Sequence, residues 1–348
     1  MRIHESRPAK VFRLLCQALI WVYVAFGSRV FYRLANNGCI AKTVEAATIS
    51  IATYMMLMWS FTWEPNRKLV SLINALIQCD QKYFPGDTYK CKPKDWVMQL
   101  MLYFIAFGIG FGGPLDIARF FLEPCAPPFF GSMVLNCQEC GDIDRSEIAW
   151  WVWIAIPLID IYPIVTILHS GLFYICYVQF VSIYTLLALI DDLHNRSSNL
   201  RNIGTPSFTI YSSLSVLEIL INAVGRYKIV PVALSVGPIV EVIALFAVIK
   251  WHSVFPILGV CSFVLIFCVQ LAGLLFFESV AAQVMTRSEE LLTSWRRNVG
   301  IETVKRKYLK SFKPMKVTFA SNYVDKLTVL VTQDFCLNQI VSLLIMYQ

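Results

Sequence analysis

Residue types that carry enzymatic chemistry are sparse and scattered in this sequence. The four histidines, His4, His169, His194 and His252, fall in separate segments, and none has the spacing of a zinc-binding His-Glu-x-x-His. No Gly-x-Ser-x-Gly turn, phosphate-binding loop or dinucleotide fingerprint occurs. The chain is therefore not expected to be an enzyme, and no cofactor is expected. Carboxylates say more, because Asp116, Asp160, Glu241 and Glu278 lie in or beside strongly apolar stretches. In hydrocarbon a carboxylate is costly unless paired or hydrated, so such residues either pair inside a bundle or mark an ion or proton path. On a structural reading Asp116 and Glu278, near the ends of their stretches, are expected to reach interfacial water, and Asp160 and Glu241 to pair inside the bundle. Helix-breaking candidates at Gly110–Pro114 and Gly237–Pro238 make a secondary transporter one reading of these carboxylates.

The eleven cysteines are odd in number and dispersed. Cys16, Cys176, Cys261, Cys268 and Cys336 lie in apolar segments and read as buried small hydrophobes. Cys125, Cys137 and Cys140 share one loop, where a disulfide is one outcome. A zinc site is the other, but no second pair or nearby histidine completes four ligands, so metal is not expected. The last segment, 327–348, is long enough for one membrane crossing yet carries polar residues. At 100° per residue Thr328, Thr332, Gln339 and Ser342 fall within about 80° of one another, with Asn338 at the edge. Such a stripe faces water or a polar seam between helices, since lipid satisfies none of its groups.

The elements that must position these residues are membrane helices. With 57% hydrophobic and 15% charged residues and a mean hydropathy of +0.60, the 348-residue chain is a multi-pass membrane protein, not a soluble one. Apolar stretches at about 14–34, 40–63, 96–120, 148–170, 229–249, 254–277 and 327–348 give seven crossings. With the N-terminus inside, the pieces 1–13, 64–95, 191–228 and 278–326 hold 4, 6, 4 and 10 Lys and Arg, together 24 of the 30. The outer loops hold Lys42, Arg145 and Lys250 only, while Arg29, Arg33 and Arg119 lie near outer span ends. That asymmetry obeys the positive-inside rule and accounts for the net charge of +7 without nucleic acid. No cleavable signal is evident at the start, and the first helix is expected to stay.

The stretch 148–190 stays apolar for too long to be one crossing. Splitting it in two would throw the basic segment 278–326 outside, so it reads as one helix whose second half projects roughly 30 Å into the cytoplasm at 1.5 Å per residue. An apolar helix outside lipid must be covered by protein. The amphipathic stretch Tyr211–Gly225 and the basic segment before the last helix are its expected companions in a cytoplasmic layer. The one sequon noted, at Asn195, falls inside and should carry no glycan. The fold class expected is all-α: a single seven-helix domain over 1–348, N-terminus inside and C-terminus outside. Its anchor layer is drawn from about 171–228 and 278–326, and its final helix spans about 327–348.

The order Ser288-Glu289-Glu290, then Trp295, a Lys/Arg-rich run, Lys313-Pro314 and a polar helix at the very end resembles the arthropod seven-transmembrane chemoreceptors, the gustatory and odorant receptor superfamily. Gustatory members close with Thr-Tyr, five hydrophobic residues and Gln-Phe. Here Val341-Ser342 precedes Leu343 to Tyr347 and Gln348, which keeps the spacing and the Gln but lacks Thr-Tyr and the final Phe. The resemblance implies a subunit of a ligand-gated, non-selective cation channel in the cell membrane that serves taste or smell. It also implies a homo- or heterotetramer surrounded by lipid, with a shared co-receptor if the chain is of odorant type. On that model Thr328, Thr332, Gln339 and Ser342 line the pore, and the gate falls at Ile345 or Met346.

A small-molecule tastant or odorant would bind between the outer halves of the middle helices, where Tyr54, Phe111, Trp153, Tyr162, Phe246 and Phe263 supply apolar walls and Asp160 a polar group. Trp150, Trp151 and Trp153 equally suit an aromatic belt at the lipid interface. A G-protein-coupled receptor needs the N-terminus outside, against the charge distribution, and the last helix has no Asn-Pro-x-x-Tyr.

Overall fold

The computed structural model describes residues 7–60, 67–83, 93–127, 131–135, 137, 149–160, 178–198, 205–297 and 303–347. Its helices are α1 (Arg7–Asn36), α2 (Ile40–Ser60), α3 (Arg67–Tyr83), α4 (Pro93–Leu122) and the one-turn α5 (Gly131–Val134). They continue with α6 (Val181–Ser198), α7 (Thr205–Gly225), α8 (Ile229–Trp251), α9 (Ile257–Arg297), α10 (Thr303–Ser311) and α11 (Lys326–Met346). A further helical segment covers 152–160. The described β structure is a two-residue hairpin, β1 (Thr318–Phe319) and β2 (Asn322–Tyr323), with Thr318 opposite Tyr323.

Among the described residues six helices are long and apolar enough to cross a membrane: Gln17–Asn36, Gln99–Leu122, Ser207–Gly225, Ile229–Trp251, Ile257–Arg297 and Lys326–Met346. Five of them coincide with spans expected from the sequence. The expected span 40–63 is helix α2, which carries Lys42 and Glu45 in its first turns. The expected span 148–170 is helical over 152–160 after a turn at 150–151, and 161–170, with the middle of the long helix expected over 148–190, lies outside the described residues. Ser207–Gly225 meets the length and hydropathy of a span, yet it packs in the helical layer. Its Tyr211 donates to the carbonyl of Lys313 (2.9 Å), and its Asn222 amide donates to the carbonyl of Lys316 (2.8 Å) and accepts from the Thr318 N–H (2.8 Å).

Two packed regions share α9. At 41 residues it is about 60 Å long, twice a bilayer core, so one half belongs to the bundle with α2, α4, α8 and α11 and the other to the layer. The layer collects α3, α6, α7, α10 and the hairpin around the largest apolar core. On α3, Leu69, Leu72 and Cys79 repeat at helical spacing and are buried, while Arg67, Lys68 and Lys82 are exposed. Trp295, fully buried, is ringed by Phe208 and Tyr211, with centroids at 5.5 and 5.8 Å, and Phe312 packs on both rings. The tryptophan of the Ser-Glu-Glu…Trp motif is thus the plug of the layer.

The glycine–proline stretches do not break their helices. α4 runs through Pro114 and α8 through Pro238. Gly108 instead lets Val269 approach α4, and Gly237 lies under Leu274, so both serve close packing on α9. The helix breaks that favoured a transporter are absent at these positions.

Candidate functional site: the last helix and its seam

α11 begins with a built cap. The Asp325 carboxylate accepts from the N–H groups of Leu327 (3.1 Å) and Thr328 (2.9 Å), and the Asp325 N–H donates to the Thr328 hydroxyl (3.0 Å). This reciprocal box satisfies amides that the first turn otherwise leaves without partners. The Thr328 hydroxyl, followed by these amides, holds the Asp325 carboxyl below the usual carboxylate range.

One side of α11 lies on α8 and α9. Its Cys336 and Ile340 are buried, with Val242 between them and Leu343 and Leu344 packed alongside. Thr332 donates to Glu278 Oε1 (2.9 Å), with the Thr328 carbonyl at 2.9 Å as its alternative acceptor, and the Cys336 thiol approaches the Pro238 carbonyl (3.9 Å). Glu241 and Glu278 are 2% and 0% exposed, and Oε2 of each has no hydrogen-bond partner among the described residues. Glu278, expected to reach interfacial water near a span end, is instead buried, because α11 covers it, and it lies with Glu241 on the same side of the last helix.

The opposite side is uncovered. Leu327, Leu330, Val331, Phe335, Val341, Ile345 and Met346 are exposed, as are Asp334, Asn338, Gln339 and Ser342. The Asn338 amide donates to Asp334 (3.1 Å), and Ser342 donates back to the Asn338 carbonyl (2.7 Å). The expected stripe is therefore split: Ser342 stays on the open side and Gln339 is exposed at the flank of the covered one, while Thr328 is engaged in the cap and Thr332 in the seam.

The residues expected to line a ligand pocket fall into separate groups. Phe246 and Phe263 are buried in an aromatic cluster with Trp251 and Phe255 where α8 turns into α9, and Phe246 also meets Tyr347 at 5.7 Å. Trp153 stacks on Phe121 and edges onto Phe120 at the end of α4. Asp160 is buried, Tyr54 and Phe111 are exposed, and Tyr162 lies outside the described residues. Trp251, Phe120 and Tyr347 were not singled out from sequence; Phe120 meets Trp153 and Tyr347 meets Phe246 across long stretches of chain, so spacing alone carried no signal for those two.

At the same end of the bundle, Arg119 is not a free interfacial charge but is 2% exposed and ion-paired with Glu45 of α2, with Glu123 at 3.4 Å. Gly259 of α9 leaves room for its guanidinium, since a Cβ there would come within 3.3 Å of Arg119. Cys125 and Cys137 form a disulfide, which answers the question their loop raised, and Cys39 is disulfide-bonded as well. Cys261 is exposed on α9, against the expectation of burial.

A bundle of apolar helices, a helical layer built on the extension of one of them, and a last helix with one bare side define a multi-pass membrane protein. No protein-family model matches the sequence, and no curated protein matches it either. Among solved structures the chain is similar to the insect olfactory receptor OR5 from Machilis hrabei, with a TM-score of 0.66 and 12% identity over 98% of this chain and 90% of that one. It is likewise similar to the same receptor in complex with eugenol, with a TM-score of 0.62 and 14% identity over the same shares. The chain has the insect olfactory receptor fold.

Proposed function

We propose that this chain is a subunit of a ligand-gated, non-selective cation channel that acts as an odorant or gustatory receptor. The observation that carries the reading is α11, a membrane-length helix of which only Cys336 and Ile340 are buried while its bare side bears polar groups. A helix of this kind needs further copies of the chain and a column of water, as in a pore made by one helix from each of four subunits. The likeness over the whole chain to an olfactory receptor supports the same reading.

The Cys125–Cys137 disulfide supports the orientation. Disulfides persist in oxidising compartments, so the connection after the third span lies outside, and the N-terminus lies inside. The helical layer is then cytoplasmic and the end of α11 extracellular. Gln339 and Ser342 line the path, with Thr328 and Thr332 beside its cytoplasmic mouth. Ile345 lies opposite the covered side of α11 and Met346 about 100° away, which favours Ile345 as the gate. A small apolar ligand would bind near Phe246, Phe263 and Trp153 and open the pore by favouring the open arrangement over the closed one. The complex of the receptor OR5 with eugenol makes small phenols the first ligands to try.

Epitopes at both termini, stained in intact and then permeabilised cells, come first, followed by current recordings with a panel of volatile aromatics and tastants. C-terminal staining of intact cells with ligand-evoked cation current is the expected result. Ile345→Ala is expected to raise basal current and Met346→Ala to raise it less; two silent variants remove the gate. Substrate accumulation without current, lost in Asp160→Asn, would replace the channel by a carrier.

A further inference from the structure

At 100° per residue the covered side chains of α11, Thr332, Cys336, Ile340 and Leu343, centre on one direction. Asp334, Asn338 and Ile345 lie within about 30° of the opposite direction. Asp334, the one acidic residue of α11, thus points away from the helices that α11 packs on. It lies eight residues beyond Lys326, or about 12 Å into the helix, well inside the thickness of a bilayer core. It forms no ion pair among the described residues; its partner is the Asn338 amide one turn on. A carboxylate at this depth facing lipid would be strongly disfavoured, so in an assembled protein it faces water or a neighbouring subunit.

We propose that Asp334, oriented by Asn338, forms a ring of carboxylates around the conduit of the assembled channel. This ring concentrates cations and sets the preference for cations over anions. The proposal rests on the channel reading above and adds a residue and a role to it. Symmetry places one Asp334 per subunit at the same height, so four negative charges face a narrow water column with low-dielectric walls, an arrangement that focuses the field on small cations. Asn338 keeps each carboxylate along the helix, and Ser342 ties back the next turn, so the polar track continues towards the gate.

The test compares wild type, Asp334→Asn and Asp334→Glu in recordings with NaCl gradients, after surface biotinylation shows equal delivery. In Asp334→Asn the reversal potential is expected to move towards that of chloride. Its conductance at low ionic strength falls by on the order of tenfold, with a smaller loss at physiological salt, where the ring is screened. Asp334→Glu keeps the wild-type selectivity. An unchanged reversal potential and conductance in Asp334→Asn overturns the proposal, since the carboxylate then faces a neighbouring subunit and not the ions.

A second measurement does not depend on current: Asp334→Cys is treated with a membrane-impermeant cationic thiol reagent and the labelled peptide identified by mass. Labelling of Cys at 334 places the position in water, even if the wild type passes no current and the channel reading itself falls. Absence of labelling overturns the ring whatever the currents show.

Discussion

At the scale of single residues, the energetics of this protein lie in a few buried polar groups. Among the described residues Glu278 accepts one hydrogen bond in the seam, from Thr332, and a buried acceptor left without its donor costs about 1–3 kcal/mol. Thr332→Val is therefore expected to lower thermal stability in detergent by about that amount, while Thr332→Ser stays close to wild type. Removing one member of a buried ion pair is harsher still, so Glu45→Gln, which leaves the Arg119 charge in the bundle without its main partner, is expected to cost about 3–5 kcal/mol. Loss of surface delivery and a lowered melting midpoint would register it; an unchanged midpoint would mean that Glu123 and Gly259's surroundings hold the guanidinium on their own. Glu45 and Arg119 were unreadable as a pair from sequence because 74 positions separate them and each sits in a stretch that reads as a span end.

At the scale of elements, α11 stands between two others. Its start is held by the Asp325 box, and the strap before it, 313–318, is held by Asn222 and Tyr211 of α7. Loss of an N-cap side chain costs about 0.5–2 kcal/mol, and Asp325→Ala is expected to fall in that range. Because the folded carboxyl is held below its ordinary value, the cap acts at full strength above the ordinary carboxylate range and is lost as pH falls through the depressed value. The penalty of Asp325→Ala, read as a difference in melting midpoint, is therefore expected to be constant from about pH 5 to about pH 8 and to shrink only in stronger acid. A penalty that changed near neutrality would mean that the cap does not titrate as an isolated carboxylate.

The polar stripe of α11 was legible in the sequence as a period, but its direction was not. Thr328 and Thr332 share that stripe with Gln339 and Ser342, yet the first two hydroxyls are engaged by Asp325 and Glu278, groups that a helical wheel of α11 alone does not contain.

At the scale of the whole molecule, the layer and the bundle share α9, and Trp295 closes the core of the layer. Trp295→Ala opens a cavity beside Phe208, Tyr211 and Phe312 and is expected to cost about 3–5 kcal/mol, which would leave little protein at the surface. Trp295→Phe should recover part of that loss, and equal surface levels for both variants would show that the layer tolerates the cavity. The same whole-molecule view predicts that Asn195, exposed at the end of α6 on the cytoplasmic side of the proposed topology, carries no glycan; endoglycosidase treatment of protein from cells is expected to leave its mobility unchanged.

Composition alone marks most of the long apolar stretches, the uneven distribution of basic residues along the chain and the polar character of the last helix. Bilayer thickness and the cost of charge in hydrocarbon act on each segment locally, so composition is enough to read them. The tertiary structure decided which groups meet: Glu278 with Thr332, Arg119 with Glu45, Cys125 with Cys137, and which side of α11 is left bare with Asp334 on it. These are contacts between distant parts of the chain, set by how helices pack against one another, and no local periodicity encodes the partner that a side chain will find.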